Sequence, residues 1–343
     1  MADLKAAVIG VGSMGRNHAR VYRELPETHL VAVADESAAQ AESLGELHGC
    51  HAYTDISAML ATEKPDIVSV VVPTTAHLSV GTLALEAGCH VIVEKPIAAT
   101  EAEAMSLIET ARRVGRQLMV GHIVRFDPAI QTLTGHLQDG EMGRIYQVKS
   151  RRLGPFPNRI RDVGVIVDLA THDLDIARHL TGQPITRVYC EIARRLHAGH
   201  EDMVVGTLRH ADGTVGLIDI NWLTPSKVRE LTVTGEGGMF LVDYLTQDLY
   251  FFENSDAEAV EWDRMALIKG VSEGKMIRYP LRRAEPLKLE LEAFARSLLD
   301  GTPVPVSGQD GLDALTVAMA LLRSGETHEP VSVRYCTVGE RCN

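Results

Sequence analysis

The sequence predicts an α/β protein of two domains, and three observations carry that reading. Apolar runs without strict alternation recur between helix-length segments as far as residue 121. Beyond it, short alternating runs follow one another, separated by turn residues. The length, 343 residues, exceeds what a single hydrophobic core ordinarily serves. The first domain, 1–121, is expected to be a parallel sheet wrapped by helices on both faces. The second, 122–343, is expected to be α+β, with a largely antiparallel sheet open on one face.

In order, the first domain offers the runs AAVIG (6–10), LVAVA (30–34), IVSVVV (67–72), HVIV (90–93) and LMVG (118–121). Helix formers such as LALEAG and AEAMSLIETARR lie between them, so each run reads as a strand covered on both faces. A helix over Pro128 to Gln138 then leads to the alternating strand IYQVKSRR, the Pro- and Arg-containing loop LGPFPNRIRD, and a second helix, VIVDLATHDLDIARHL. The runs RVYCEI, DMVVGTLRH, GTVGLIDINW, VRELTVTG and MFLVDY follow, and turns such as HADG and GEGG make them hairpins. Two helices, PLKLELEAFARSLL and GLDALTVAMALLRS, complete the pattern.

Composition removes several function classes. Apolar residues are 45% and charged residues 23%, an ordinary globular balance. The formal charge of -12, from 34 basic and 46 acidic residues, opposes binding to a polyphosphate backbone, so nucleic acid is not an expected partner. No apolar run approaches the roughly 18 residues of a membrane span, and MADLKAAVIG enters a strand almost at once, so a soluble cytoplasmic protein is expected. Five scattered cysteines without a C-x-x-C pair read as reduced thiols.

The first strand runs into VIGVGSMGRNHA, which places Gly10, Gly12 and Gly15 as G-x-G-x-x-G at a strand-to-helix turn. The first glycine allows the tight turn, the second lets backbone approach a pyrophosphate, and the third permits close helix packing. The helix that starts at Ser13 and Met14 aims its amides at the phosphates. Asp35 closes the second strand 20 residues after Gly15, where a carboxylate accepts from an adenosine ribose diol. Glu36 follows and no arginine is near, which favours NAD over its 2'-phosphorylated form.

Ligands of an open parallel sheet sit beyond the carboxyl ends of its strands. Glu94 and Lys95 close the run HVIV there, in EKP, at the nicotinamide end of the crevice. A partly desolvated lysine is able to exchange a proton with a reacting hydroxyl. In VDLATHDLDIARHL, Asp168 and His172 are four residues apart and so share a helix face. A carboxylate beside an imidazole sets its tautomer and supports the imidazolium that forms on proton uptake. These groups supply a base and a cation for oxidising an alcohol. No metal is expected, since His172, Asp173, Asp175 and His179 lack a recognised ligand spacing. Asp173 and Asp175 read instead as capping or salt-bridging residues of a solvated face.

GVGSMG, EKP and DxxxHD, in this order and with these separations, resemble the Gfo/Idh/MocA oxidoreductase family over essentially the whole chain. The resemblance implies that Lys95 is the active-site lysine and that the bond before Pro96 is cis. It further implies cofactor contacts from Pro73, Thr74 and His77, and dimers or tetramers built on the open sheet face. The family's G-G-x-x-x-D-x-x-x-H helix motif is incomplete here, with Gly164 followed by Val165. GHIVRFDPAI, RRLGPFPNRIRDVGVIVDLATHD and PLKLELEAF are similar to the nucleotide-sugar branch, which implies oxidation of UDP-N-acetylglucosamine at its 3-hydroxyl ahead of an aminotransferase in lipid A synthesis. Arg144, Lys149, Arg151, Arg152, Arg159 and Arg161 crowd into 18 residues before the Asp168/His172 pair, and guanidiniums match a diphosphate bidentately. Lys149 and Arg151 share one strand face and read as solvent-side charges, while Arg159 and Arg161, in a loop, are the stronger candidates. Arg125, with Asp127, is placed to reach the same cleft. Two other readings stand beside this one: a myo-inositol or simple sugar dehydrogenase, and a non-catalytic sensor of NAD redox state, which would not need Lys95 or the Asp168/His172 pair.

Overall fold

A computed structural model of the chain describes residues 4–157, 163–196, 199–255 and 272–336. Strand β1 (Leu4–Ile9), helix α1 (Ser13–Glu24), β2 (Thr28–Ala34), α2 (Ala38–His48), β3 (His51–Tyr53), α3 (Ile56–Glu63) and β4 (Ile67–Val70) come first. They are followed by α4 (His77–Glu86), β5 (His90–Glu94), α5 (Glu101–Val114) and β6 (Leu118–Gly121). The strands form one parallel sheet in the order β3-β2-β1-β4-β5-β6. Its central strands are buried on both sides, with Ala6 to Ile9, Ile67 to Val70 and Val91 to Val93 almost wholly excluded from solvent, which is why their sequences do not alternate. Helix ends follow local chemistry. Asp55 caps α3 by accepting from the Ser57 and Ala58 amides, Thr100 caps α5 through the Glu103 amide, and Gly49 and Gly115 end α2 and α5 in left-handed conformation. Only the exposed edge strand β3 carries no apolar run, and sequence reading passes over it.

The second sheet is built by β7 (Ile145–Pro155), β8 (Ile185–Ala193), β9 (Met203–His210), β10 (Val215–Asn221), β11 (Leu223–Gly235), β12 (Gly238–Asp243), β13 (Asp248–Ser255), β14 (Ser272–Tyr279) and β15 (Val331–Ser332). Its order is β14-β13-β12-β11-β7-β10-β9-β8-β15, and only the β7/β10 pair is parallel. α6 (Pro128–Gln138) precedes the sheet, and α7 (Thr171–Thr181) lies between β7 and β8. The two outermost faces differ as expected: β9 buries Val204, Gly206 and Leu208 but leaves Val205 47% exposed, the mark of a sheet covered on one side.

α8 (Pro286–Asp300) and α9 (Gly308–Thr327) do not simply extend the second domain. Residues 1–126, 284–316 and 334–343 make one compact unit, and residues 127–283 and 317–333 make the other. The division is therefore not the single cut after residue 121 that the sequence suggests. Leu287, Leu291 and Phe294 of α8 are buried in the first unit, where α8 packs on α1, and Gly308 and Gly311 of α9 lie against Ile108, Leu118, Val120 and Ile97. Helical periodicity announces such faces without saying which sheet they cover. The expectation of wholly reduced thiols is also corrected, since Cys336 is disulfide-bonded, whereas Cys50, Cys89 and Cys190 are free.

Candidate active site

At the end of β1 the three motif glycines serve different purposes. Gly10 has φ +88°, and a Cβ there would stand 2.4 Å from the Val71 carbonyl oxygen. A Cβ on Gly15 would stand 1.8 Å from the Gly10 oxygen, so α1 meets the turn with no room for a side chain. A Cβ on Gly12 would meet nothing within 4 Å, and no side chain caps the first amides of α1 at Ser13 and Met14. An open concavity at an uncapped helix N-terminus suits a pyrophosphate. Asp35 is tied to this turn, its Oδ2 accepting from the Val11 amide at 2.8 Å and its Oδ1 from the Ser37 amide at 2.9 Å. Each oxygen keeps a further lone pair for a ribose hydroxyl. These residues fit NAD.

Pro73 and Thr74 follow β4 in a short 3-10 turn, Thr74–Ala76. His77 departs from its expected role as a cofactor contact. It is 1% exposed, with Nδ1 2.9 Å from the Pro96 carbonyl and Nε2 3.0 Å from that of Val72. Burial holds its pKa below the ordinary value despite both carbonyls, and since a carbonyl oxygen only accepts, a neutral ring donates to one of the two turns and not to both.

The EKP turn is held from several sides. In the sheet Glu94 lies opposite Gly121, where a Cβ would approach its carboxylate to 3.3 Å. Glu94 Oε1 is 3.1 Å from His18 Nε2, and Oε2 accepts from the Lys95 amide at 3.2 Å. Burial alone would raise the Glu94 carboxyl, but the His18 hydrogen bond and the charges of His18 and Lys95 hold it below the usual carboxylate value. The Lys95–Pro96 bond is cis, as the resemblance implies.

In the second unit the helix carrying Asp168 and His172 begins with a π-helical turn, Ile166–Ala170, in which the Thr171 amide donates to Ile166 O. Such turns are frequent at functional sites. Its start is gripped by Glu201, which the sequence did not mark. The Glu201 backbone carbonyl accepts from the Val165 amide at 2.9 Å, and its Oε1 accepts from the Ile166 amide at 3.0 Å. The Glu201 carboxylate occupies the space a Cβ on Gly164 would fill, 2.1 Å away, so Gly164 is the indispensable motif glycine, while Val165 is a fully buried core residue. Asp168 and His172 are both partly exposed on this helix. Asp173 and Asp175 are each 1% exposed, which corrects their assignment to a solvated face.

The basic cluster disperses. Arg152 is buried and forms a bidentate pair with Asp173, Nε to Oδ2 at 2.7 Å and Nη2 to Oδ1 at 3.1 Å, with the Tyr244 ring 5.5 Å from its guanidinium carbon. Its donors brace α7 rather than standing open to a diphosphate, which corrects its assignment to substrate binding. Arg151 pairs with Glu230 and Asp219 on the solvent side, as strand alternation predicts. Arg125 is also committed, donating to Asp310 at 3.0 Å with its side chain 8% exposed. Asp127 caps α6 through the Ala129 amide, and burial pushes its carboxyl above the ordinary range. Arg159 and Arg161 lie outside the described residues. Among the described residues no group of three or more His, Cys, Asp or Glu side chains is arranged to hold a metal ion, and no helix is long and apolar enough to cross a membrane.

Comparison with known proteins places this geometry. Residues 4–122 match the model of an oxidoreductase family with an NAD-binding Rossmann fold, and residues 130–241 match the Gfo/Idh/MocA C-terminal domain. The chain is 29% identical to the UDP-N-acetylglucosamine 3-dehydrogenase of Acidithiobacillus ferrooxidans over 93% of its own length and 96% of that protein. The solved structure of that enzyme superposes with a TM-score of 0.83, covering 95% of this chain and 99% of the other. D-glucoside 3-dehydrogenase of Escherichia coli is 36% identical over 54% of this chain and 56% of the relative. Inositol 2-dehydrogenase of Rhizobium meliloti is 27% identical over 96% and 99%.

Proposed function

The chain belongs to the Gfo/Idh/MocA oxidoreductase family, and on that premise we propose that it oxidises the 3-hydroxyl of a hexopyranose, with UDP-N-acetylglucosamine as the favoured substrate. NAD supplies the hydride acceptor. In this reading His172, supported by Asp168, takes the hydroxyl proton, and Lys95 polarises the same oxygen so that negative charge developing on it is stabilised. Asp35 selects the ribose diol. Arg159 and Arg161 are the favoured candidates for the diphosphate, since Arg125, Arg151 and Arg152 are already paired with Asp310, Glu230 and Asp173.

The observation that carries the reading is the similarity over nearly the full length to a UDP-N-acetylglucosamine 3-dehydrogenase. The D-glucoside 3-dehydrogenase, another relative, is named for the same carbon. The full-length similarity to an inositol 2-dehydrogenase supports a second reading, oxidation of a free polyol by the same residues. Assembly into a dimer or tetramer on the open face of the nine-stranded sheet belongs to the same proposal and is tested by light scattering.

The two substrate readings are tested by following nicotinamide absorbance with UDP-N-acetylglucosamine, methyl glucoside and myo-inositol, with an aminotransferase present to draw off the ketone. The expected result is turnover of the nucleotide sugar and competitive inhibition by UDP. Turnover of inositol without UDP inhibition selects the polyol reading, and NAD binding with a silent panel returns the redox-sensor alternative. With the active substrate, Lys95→Met and His172→Ala are each expected to lower kcat by about 100- to 10,000-fold. Normal turnover in either removes that residue from the mechanism.

A further inference from the structure

We propose that His18 is a positioning residue for the EKP turn: its hydrogen bond to Glu94 keeps that carboxylate charged and aimed at the Lys95 backbone, so that Lys95 stands beside an ordered anion. The proposal rests on the reading of Lys95 as a group that meets substrate.

His18 lies on the buried face of α1, beside Ala19, Val21 and Tyr22, and is 1% exposed. A polar ring in such a place is destabilising unless its nitrogens are paired. Both are. Nδ1 is 3.0 Å from Ser69 Oγ, Nε2 is 3.1 Å from Glu94 Oε1, and the Tyr22 hydroxyl is 2.9 Å from the same Ser69 oxygen. An ionised carboxylate only accepts, so Nε2–H donates to Glu94, while Nδ1 and the Tyr22 hydroxyl share the Ser69 hydroxyl. Tyr22, Ser69 and His18 thus form a hydrogen-bonded chain running from the interior of the sheet to the carboxyl end of β5.

A second acid shows what this chain accomplishes. Glu290 of α8 is 0% exposed, and neither of its carboxylate oxygens has a hydrogen-bond partner among the described residues. Burial, and after it the charge of Glu94, push its carboxyl well above the ordinary range. Glu94, whose side chain is 13% exposed, and the fully buried Glu290 are therefore two carboxyls within electrostatic reach of each other, of which only Glu94 has donors, and only Glu94 is held below the usual value. The other titratable groups facing Glu94 are His18 from α1, Lys95 in its own turn and His77 from α4, while Tyr22 of α1 faces Glu290 and β6 presents Gly121. Removing the His18 donor leaves Glu94 with a single backbone amide, close to the situation of Glu290. It would then take up a proton nearer neutrality, and Lys95 would lose the Glu94 charge from its surroundings.

The test uses the full chain labelled with 13C at glutamate carboxyls, the Glu94 signal being assigned from Glu94→Gln. The Glu94 midpoint is expected to rise by more than about one pH unit in His18→Phe and to return in part in His18→Gln, whose side-chain amide restores an N–H donor. Ser69→Ala, a milder change that leaves Nε2–H in place, is expected to move the midpoint less. In parallel, kcat for NAD-linked sugar oxidation is expected to fall about tenfold in His18→Phe, with KM for NAD within about twofold and the acid limb of the pH profile displaced with the Glu94 midpoint. An unmoved Glu94 midpoint in folded His18→Phe overturns the proposal, as does a moved midpoint with an unchanged pH profile. Full turnover in Lys95→Met overturns the reading of Lys95 instead, and the NMR titration alone then decides whether His18 sets the charge of Glu94.

Discussion

Gly12 and Gly15 meet opposite constraints within four residues, and substitution separates them. An alanine at Gly15 drives its methyl into the Gly10 carbonyl, 1.8 Å away, so α1 must move or the turn must break. A loss of about 3 kcal/mol or more is expected in urea unfolding. An alanine at Gly12 meets nothing within 4 Å, and the φ of -63° suits any residue. Gly12→Ala is therefore expected to keep its Tm within about 2 °C and yet bind NAD at least about tenfold more weakly by calorimetry, because its methyl fills the concavity in front of the Ser13 and Met14 amides. Equal NAD affinity in Gly12→Ala would place the cofactor elsewhere. These glycines were legible in the sequence because their backbone demands are local. Arg152 was misread because nearness in sequence to the Asp168/His172 pair says nothing about direction. Its place on the inward face of β7 with Val148 and Ser150, one residue from the outward Arg151, was the available signal, and Asp173 beside His172 was the available partner.

The π-helical turn before α7 shows how an element is set by a residue distant in sequence. Its first amides, those of Val165 and Ile166, are taken by Glu201 from the loop between β8 and β9, and the carboxylate fits only because Gly164 has no side chain. Gly164→Ala is expected to expel Glu201, leave a buried amide unpaired and lower stability by about 1–3 kcal/mol. It is also expected to reduce kcat, since His172 begins less than two turns later. Glu201→Ala in the Gly164→Ala background removes the collision but not the lost cap, so a double-mutant cycle should give a coupling of about 0.5–3 kcal/mol. Strict additivity would mean that the two groups do not share the space. The helix itself was readable from its periodicity, but its start was not, since Glu201, which takes the Val165 and Ile166 amides, lies in another loop. For the same reason β3 escaped notice: two exposed residues and the half-buried Tyr53 pair with β2 without any apolar pattern of their own.

Among the described residues the shifted carboxyls divide into those that stabilise the fold as pH rises and two, Asp127 and Glu290, that oppose it. Glu94 and Asp310 lie below their ordinary range despite burial, the first chiefly through His18 and the second through Arg125. Their contribution is present above the unfolded-state pKa and is lost as pH falls through the folded one. Glu290 has the opposite sign. Its folded-state carboxyl lies well above the ordinary carboxylate range, so over the window between the two the native protein holds a proton that the unfolded chain has released. Stability falls through that window by up to about 1.4 kcal/mol per pH unit for this one group. Glu290→Met replaces an acid that has no hydrogen-bond partner among the described residues with an apolar side chain of similar length. The variant is expected to be more stable than the parent by at least about 1 kcal/mol at pH 7.5, with the advantage shrinking as pH approaches 5. Urea unfolding followed by far-UV circular dichroism measures this, whereas fluorescence from the buried Trp222 would report on the second unit, which does not contain Glu290. A gain that is the same at both pH values would mean that Glu290 is ionised in the native state. In that event the charge at the carboxyl end of β5 would be shared between two acids rather than held by Glu94 alone.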